Sequence, residues 1–201
     1  MAEQPEAVLK LFADAQDTFG RHVRRAAAHD SWAAPTPCAD WTVRDLVGHL
    51  TSEHLWAPPL LAGRTVAEVG DRFDGDVLGD DPVAAWTAAA EASRAAFEDP
   101  GALERTVQLS YGRRPAAGYC REMTVDAIIH AWDLAVGVGA DLAMDREAAE
   151  FALAELGKYG EDLSSSGVFG PAVPVPKDAD AQTRLLGLAG RDPADPLRTG
   201  G

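Results

Sequence analysis

Apolar residues recur at helical spacing along most of this chain. Val8, Leu9, Leu11, Phe12, Ala15, Phe19 and Val23 repeat every three to four positions, with no proline or glycine between residues 5 and 28 until Gly20. That spacing predicts a long first helix with one buried face. A second helix follows from Thr42, a capping residue with Asp45 supplying a carboxylate to the first turn. It runs through Val43, Leu46, Val47, Leu50 and Leu55 and is expected to stop near Pro58-Pro59. A third starts at Asp81-Pro82, continues through Val83, Trp86, Ala90 and Phe97, and ends at Asp99-Pro100-Gly101. A fourth is expected from a Thr124 cap to about Val138, ended by Gly137 and Gly139. A fifth runs from Asp145 to Leu156 or beyond, and a last short one covers Gln182 to Leu188. Strand character is confined to Thr106–Tyr111, where a short hairpin or an extended crossing loop would both fit. Residues 33–40 and 63–80 read as irregular connections, and 164–176, rich in glycine and proline, as extended tail.

Four long amphipathic segments with little strand define an all-α fold, a helical bundle. The expected division is a bundle over residues 1–163 and a tail with a short helix over 164–201, packed on the same domain. A length of 201 residues suits one such core. The net charge of -14 argues against nucleic acid, whose phosphates are held mainly by lysine and arginine. No apolar run approaches the roughly 20 residues needed to span a bilayer. Met1–Glu6 lacks the basic-then-apolar layout of a signal peptide, so a cytoplasmic protein with reduced thiols is expected. The two cysteines, Cys38 and Cys120, have no CxxC partner, which disfavours a thiolate zinc site.

The chemistry-bearing feature is Asp126-Ala127-Ile128-Ile129-His130-Ala131-Trp132-Asp133. Asp126 and His130 lie one helical turn apart on one side, where a carboxylate and an imidazole can share a divalent ion. With Asp133 they form a stripe, and a stripe facing solvent needs no ion. This one is narrow, flanked by Ala127, Ala131 and Leu134 in an otherwise apolar helix. Charged groups buried there must be paired or bind a metal. A third ligand should come from another helix. His49 sits mid-helix at the edge of an apolar face, next to Gly48, which lets another element approach. A hydrogen-bonded core histidine is the competing reading of His49. Glu53 and His54 are the rival ligands on the same helix, whereas His22 and His29 look like surface residues. Asp133 is expected to orient a neighbour or pair with an arginine. Arg113 and Arg114 could take a carboxylate but read as surface arginines.

Pro35-Thr36-Pro37-Cys38-Ala39-Asp40-Trp41-Thr42-Val43-Arg44-Asp45-Leu46-Val47-Gly48-His49-Leu50 resembles the N-terminal signature of the mycothiol-dependent maleylpyruvate isomerase-like proteins, part of the DinB-like superfamily of metal-binding four-helix bundles. The segment Asp126–Ala135 resembles that family's second metal motif. Phe169–Pro176 and Leu185–Pro193 resemble the closing segment of one of its uncharacterised metal-binding subgroups. The resemblance implies a DinB-like bundle with a short irregular or hairpin insertion. It also implies metal ligation by His49, Asp126 and His130, with zinc or nickel as the ion and mycothiol as a cosubstrate. The isomerase has glutamate at the second position. The shorter Asp126 shifts where the ion would sit. The segment after the fourth helix is too short for the isomerase's separate C-terminal domain, so conversion of maleylpyruvate itself is not expected.

Three functions remain open on this reading. The first is a thiol-dependent transferase or isomerase acting on a small electrophile, with a homodimer left open. The second is a hydrolase using metal-bound water. The third is a non-catalytic helical metal-binding or stress-response protein.

Overall fold

The computed structural model describes residues 5–159 and 170–197. It contains helices α1 (Pro5–His29), α2 (Val43–Leu61), the single turn α3 (Val66–Val69), α4 (Pro82–Glu98), α5 (Ala116–Gly137), α6 (Arg146–Leu156) and α7 (Ala181–Leu188). Strands β1 (Thr106–Leu109) and β2 (Gly112–Pro115) pair antiparallel as a hairpin between α4 and α5, with Thr106 opposite Pro115 and Leu109 opposite Gly112. The expected all-α bundle is borne out, and the hairpin alternative holds for 106–115. The part of the extended tail at residues 164–169 lies outside the described residues.

Helices α1, α2, α4 and α5 form the bundle, and paired contacts fix their directions. Phe12 meets Phe97 at 5.2 Å between rings and Phe19 meets Trp86 at 4.6 Å, so α1 and α4 are antiparallel. Arg44 near the start of α2 bonds Asp76 and Gly79 just before α4, while Arg105 beyond α4 bonds the carbonyl of Leu61 at the end of α2. Helices α2 and α4 are therefore parallel. Val43 lies against Gly137 and His49 against Asp126, which makes α2 and α5 antiparallel. Two consecutive parallel helices need a connection that runs back along the bundle. A helix the length of α2 is roughly 28 Å long, which explains the long link from residue 62 to residue 81 carrying α3.

The core is filled by Phe12, Phe19, Leu46, Leu50, Phe97, Ile129 and Leu134, each no more than 1% exposed. Such side chains contribute roughly 1.5–3 kcal/mol each through burial. Among the described residues no helix is long and apolar enough to cross a membrane.

Two element boundaries differ from the sequence reading. Helix α5 starts at Ala116, and Thr124 sits inside it with its hydroxyl donating to the carbonyl of Cys120 at 2.7 Å. No side-chain cap is needed, because the amides of Ala116 and Ala117 donate to the carbonyls of Arg105 and Leu103. Helix α2 passes through Pro58 and Pro59 to Leu61. The prolines lack amides but keep their carbonyls, which accept from Ala62 and Arg64 at 3.0 Å each. Burial of Leu60 and Leu61, both 3% exposed, favours that extra turn.

Candidate metal centre

His49 and the Asp126/His130 pair face one another across the α2–α5 seam. The start of α2 is fixed by a reciprocal capping box: Thr42 accepts from the Asp45 amide and the Asp45 carboxylate accepts from the Thr42 amide at 2.9 Å. His49 lies two turns on, half-buried, with the ring of Trp41 4.9 Å away. On α5, Asp126 and His130 stand one turn apart as the i, i+4 spacing requires.

His130 Nε2 is 3.3 Å from Asp126 Oδ1 and His49 Nε2 is 3.6 Å from Asp126 Oδ2. One ligand atom from each of the three lies within 4.8 Å of the others, and the imidazoles meet edge to face at 5.3 Å. Ligand atoms placed about 2.0–2.1 Å from one ion in a tetrahedral arrangement stand about 3.3 Å apart. The two distances to Asp126 lie near that figure, and two imidazoles with one carboxylate suit zinc or a neighbouring divalent metal. One coordination position would stay open.

The other face of His130 is also fixed. Its Nδ1 lies 2.9 Å from Asp133 Oδ2, and Asp133 is fully buried. In the neutral ring, an Nδ1–H donated to a carboxylate would leave Nε2 as the lone-pair nitrogen facing His49 and Asp126. Asp133 also accepts from Arg191, so it both orients a neighbour and pairs with an arginine.

Burial works against the charge on each of these groups, and the neighbours overcome it. His130 and His49 hold Asp126 well below the usual carboxylate range despite burial. Burial would raise Asp133, but Arg191 and His130 bring it down to about 2. Burial would discharge the His130 imidazole, yet Asp126, Asp133 and Cys38 hold its pKa well above the ordinary value.

The rival ligands are placed elsewhere. His54 is buried between α1, α2 and α4, its Nδ1 2.7 Å from Ser93 Oγ and its ring stacked 5.5 Å from Phe12. It is a core histidine. Glu53 is half-buried one turn after His49 and lies outside the trio. Burial and the charge of Asp126 raise its pKa, while His49 and His130 act to lower it. Arg113 and Arg114 are exposed on β2, with the Arg114 guanidinium 5.6 Å from the Tyr111 ring.

Residue reasoning missed three neighbours. Cys38 Sγ is 3.3 Å from Asp133 Oδ2 and 3.8 Å from His130 Nδ1. The loop from Thr36 to Trp41 turns it inward, with Asp40 at φ +64° and Thr36 Oγ1 donating to the carbonyl of Trp41 at 2.9 Å. Cys38, His130 and Asp133 could also be counted as a ligand set. Both Asp133 oxygens and His130 Nδ1 are already engaged there, and the Arg191 guanidinium repels a second cation. Arg191 itself comes from the tail. Tyr119, 5% exposed, stands two turns before Asp126 on the same side of α5. Burial and Glu53 raise its hydroxyl pKa well above the ordinary value. Cys38 and Arg191 sat inside segments that carried the family resemblance. Tyr119 had no signal, because its helix was expected to start after it.

The domain model described as the mycothiol maleylpyruvate isomerase N-terminal domain matches residues 12–135. The uncharacterized proteins MT0763 and Rv0738, from the CDC 1551 / Oshkosh and H37Rv strains of Mycobacterium tuberculosis, are each 31% identical over 179 residues. Those alignments cover 88% of this chain and 93% of each relative. No solved structure matches the chain. With most of the bundle inside the matched region, the chain belongs to the family of the mycothiol maleylpyruvate isomerase N-terminal domain, a DinB-like domain family.

Proposed function

We propose that the protein binds one divalent metal ion through His49, Asp126 and His130, zinc before nickel, and uses it in thiol chemistry. The thiol is mycothiol or a close relative, and the acceptor is a small electrophile. The observation that carries this reading is the convergence of three ligand atoms within 4.8 Å, with the far nitrogen of one imidazole already held by a buried carboxylate. The family's description supports the choice of thiol.

A divalent ion supplies one thing here: it lowers the pKa of a thiol placed at its open position. The chain's own residues do the rest. Asp133 accepts the His130 Nδ1–H, so Nε2 is the nitrogen that would give its lone pair to a bound ion. Trp41, ring to ring 4.9 Å from His49 and 6.2 Å from His130, covers one side of the pair. Glu53 and Tyr119 stand on the α2 and α5 sides of the seam, one turn past His49 and two turns before Asp126. Thiol transfer or isomerisation about a double bond both follow from addition of the thiolate to an electrophilic carbon.

Elemental analysis tests the ion site. Protein incubated with zinc or nickel and then desalted should retain about one ion per chain. The His49→Ala, His130→Ala double variant should retain none. An ion-free wild-type protein under those conditions sinks the reading. Calorimetry of the loaded protein with mycothiol then tests the thiol step, and hydrolysis of model esters without thiol would point to metal-bound water instead.

A further inference from the structure

Arg191 lies far outside the family-matched residues 12–135, in the tail that follows α7. Its guanidinium nonetheless reaches the centre. Nε donates to Asp133 Oδ1 at 3.1 Å and Nη2 to Asp133 Oδ2 at 2.7 Å, a two-pronged pair with the arginine side chain 9% exposed and the aspartate fully buried. Nη1 donates to the carbonyl of Ala189 at 2.7 Å, and Nη2 also faces Cys38 Sγ at 3.4 Å. One side chain thus joins the loop before α2, the metal-facing helix α5 and the C-terminal tail.

The tail is built to deliver it. Gln182 on α7 accepts from the amide of Met144 at 2.9 Å and donates to the carbonyl of Leu142 at 2.7 Å, anchoring α7 to the loop before α6. The amide of Val173 donates to the carbonyl of Gly187 at 2.8 Å, so residues beside it lie along α7 as a strap. A side chain at Gly187 would stand 2.7 Å from the Val173 carbonyl oxygen. Gly190 has φ +79° and lies so close to Gly170 that a Cβ would come within 3.0 Å of its carbonyl. The amide of Arg191 then closes back on the carbonyl of Leu186 at 2.8 Å.

We propose that Arg191 is a positioning residue for the metal centre: by gripping both oxygens of Asp133 it fixes the acceptor for His130 Nδ1, and so the direction of the Nε2 that binds the ion. The proposal rests on the ion site put forward above. Removing the partner directly behind a metal ligand, here Asp133, typically costs about 10- to 100-fold in affinity, and Arg191 stands one step further back, so its loss costs less. Simple charge repulsion has the opposite sign. A guanidinium near a cation site weakens cation binding, so a purely electrostatic role predicts tighter binding when Arg191 is lost.

The test is a zinc competition titration against a chromophoric chelator, on the full chain, for wild type, Arg191→Met, Arg191→Lys and Asp133→Asn. Imidazole nitrogen NMR of the ion-free proteins runs beside it. We expect Arg191→Met to lose about 10-fold in zinc affinity, the low end of the range for a partner behind a metal ligand, and Arg191→Lys, which keeps the charge but not the fork, to recover part of it. Asp133→Asn should lose about 10- to 100-fold, and the Arg191→Met, Asp133→Asn pair no more than the worse single variant. The His130 Nδ1–H signal should shift in Arg191→Met. Unchanged or tighter zinc binding in a folded Arg191→Met protein, with only its melting midpoint lowered, overturns the proposal and leaves the ion site standing. If Arg191→Met lacks the helical spectrum of wild type, Arg191→Lys decides, and wild-type affinity in that variant overturns it. A wild type that takes up no zinc overturns both the ion site and this role for Arg191.

Discussion

His54 shows how one buried residue sets a property of the ion-free protein. Burial pushes its imidazole pKa down to about 3, with Asp126 acting upward and Arg94 and His49 downward. Gln16, Ser93, Phe12 and Trp86 surround it, and among the described residues its Nε2 has no hydrogen-bond partner. The unfolded chain takes a proton on this group near its ordinary pKa of about 6.5, and the folded chain refuses it until near 3. Stability therefore falls as pH drops below about 6.5, by at most about 1.4 kcal/mol per pH unit from this group. Urea unfolding at pH 6.5 and pH 4.5 should show that slope, and His54→Gln should flatten it. An equal slope in the variant would mean that another group carries it. At this scale the sequence was partly legible. Asp126 and His130 could be paired by their spacing, because a helix places i and i+4 together whatever surrounds it. Spacing alone could not choose among His49, Glu53 and His54, since the choice depends on which side of α2 faces α5. The family resemblance pointed to His49, and the structure places it opposite Asp126 and His130 with His54 in the core. Cys38 and Arg191 were beyond reach, since each meets Asp133 only after 95 and 58 intervening steps of sequence have folded.

At the level of elements, the seam between α2 and α5 is held unusually close at one end. A Cβ at Gly137 would stand 2.7 Å from Val43 Cγ2 and 3.2 Å from the carbonyl oxygen of Pro35. Val43 is fully buried and Pro35 offers backbone, so neither neighbour can yield freely. Gly137→Ala should therefore destabilise the protein by roughly 1–3 kcal/mol, because overpacking outweighs the better helix propensity of alanine. Thermal unfolding measures this, and adding Val43→Ala should restore part of the loss. A Gly137→Ala protein as stable as wild type would refute the close approach. The helix starts at Thr42, Asp81 and Asp145 were readable because at each a short polar side chain satisfies a nearby amide. The start of α5 was not, since distant carbonyls of Leu103 and Arg105 satisfy its first amides. Thr124 looked like a cap and is a mid-helix residue bonded to its own helix.

For the whole molecule, Phe12 joins three of the four bundle helices, packing 5.2 Å from Phe97 on α4 and 5.5 Å from His54 on α2. It is fully buried and is not one of the metal-facing trio. Phe12→Ala should cost about 3–5 kcal/mol, lowering the melting midpoint by roughly 10 °C, while zinc affinity of the folded protein stays within a few-fold of wild type. Lost affinity on a par with the loss of stability would show that the ion site depends on the whole core rather than on the α2–α5 seam. The amphipathic periods of the sequence determined that the chain would be a helical bundle, and the i, i+4 pair determined that a carboxylate and an imidazole would share a side of one helix. Both are local consequences of a 3.6-residue repeat. Tertiary structure decided the rest: α2 runs parallel to α4, His49 meets Asp126 and His130, His54 does not, and a tail arginine closes the circle behind His130. Those outcomes depend on helix directions and on partners distant in the chain, which no local repeat encodes.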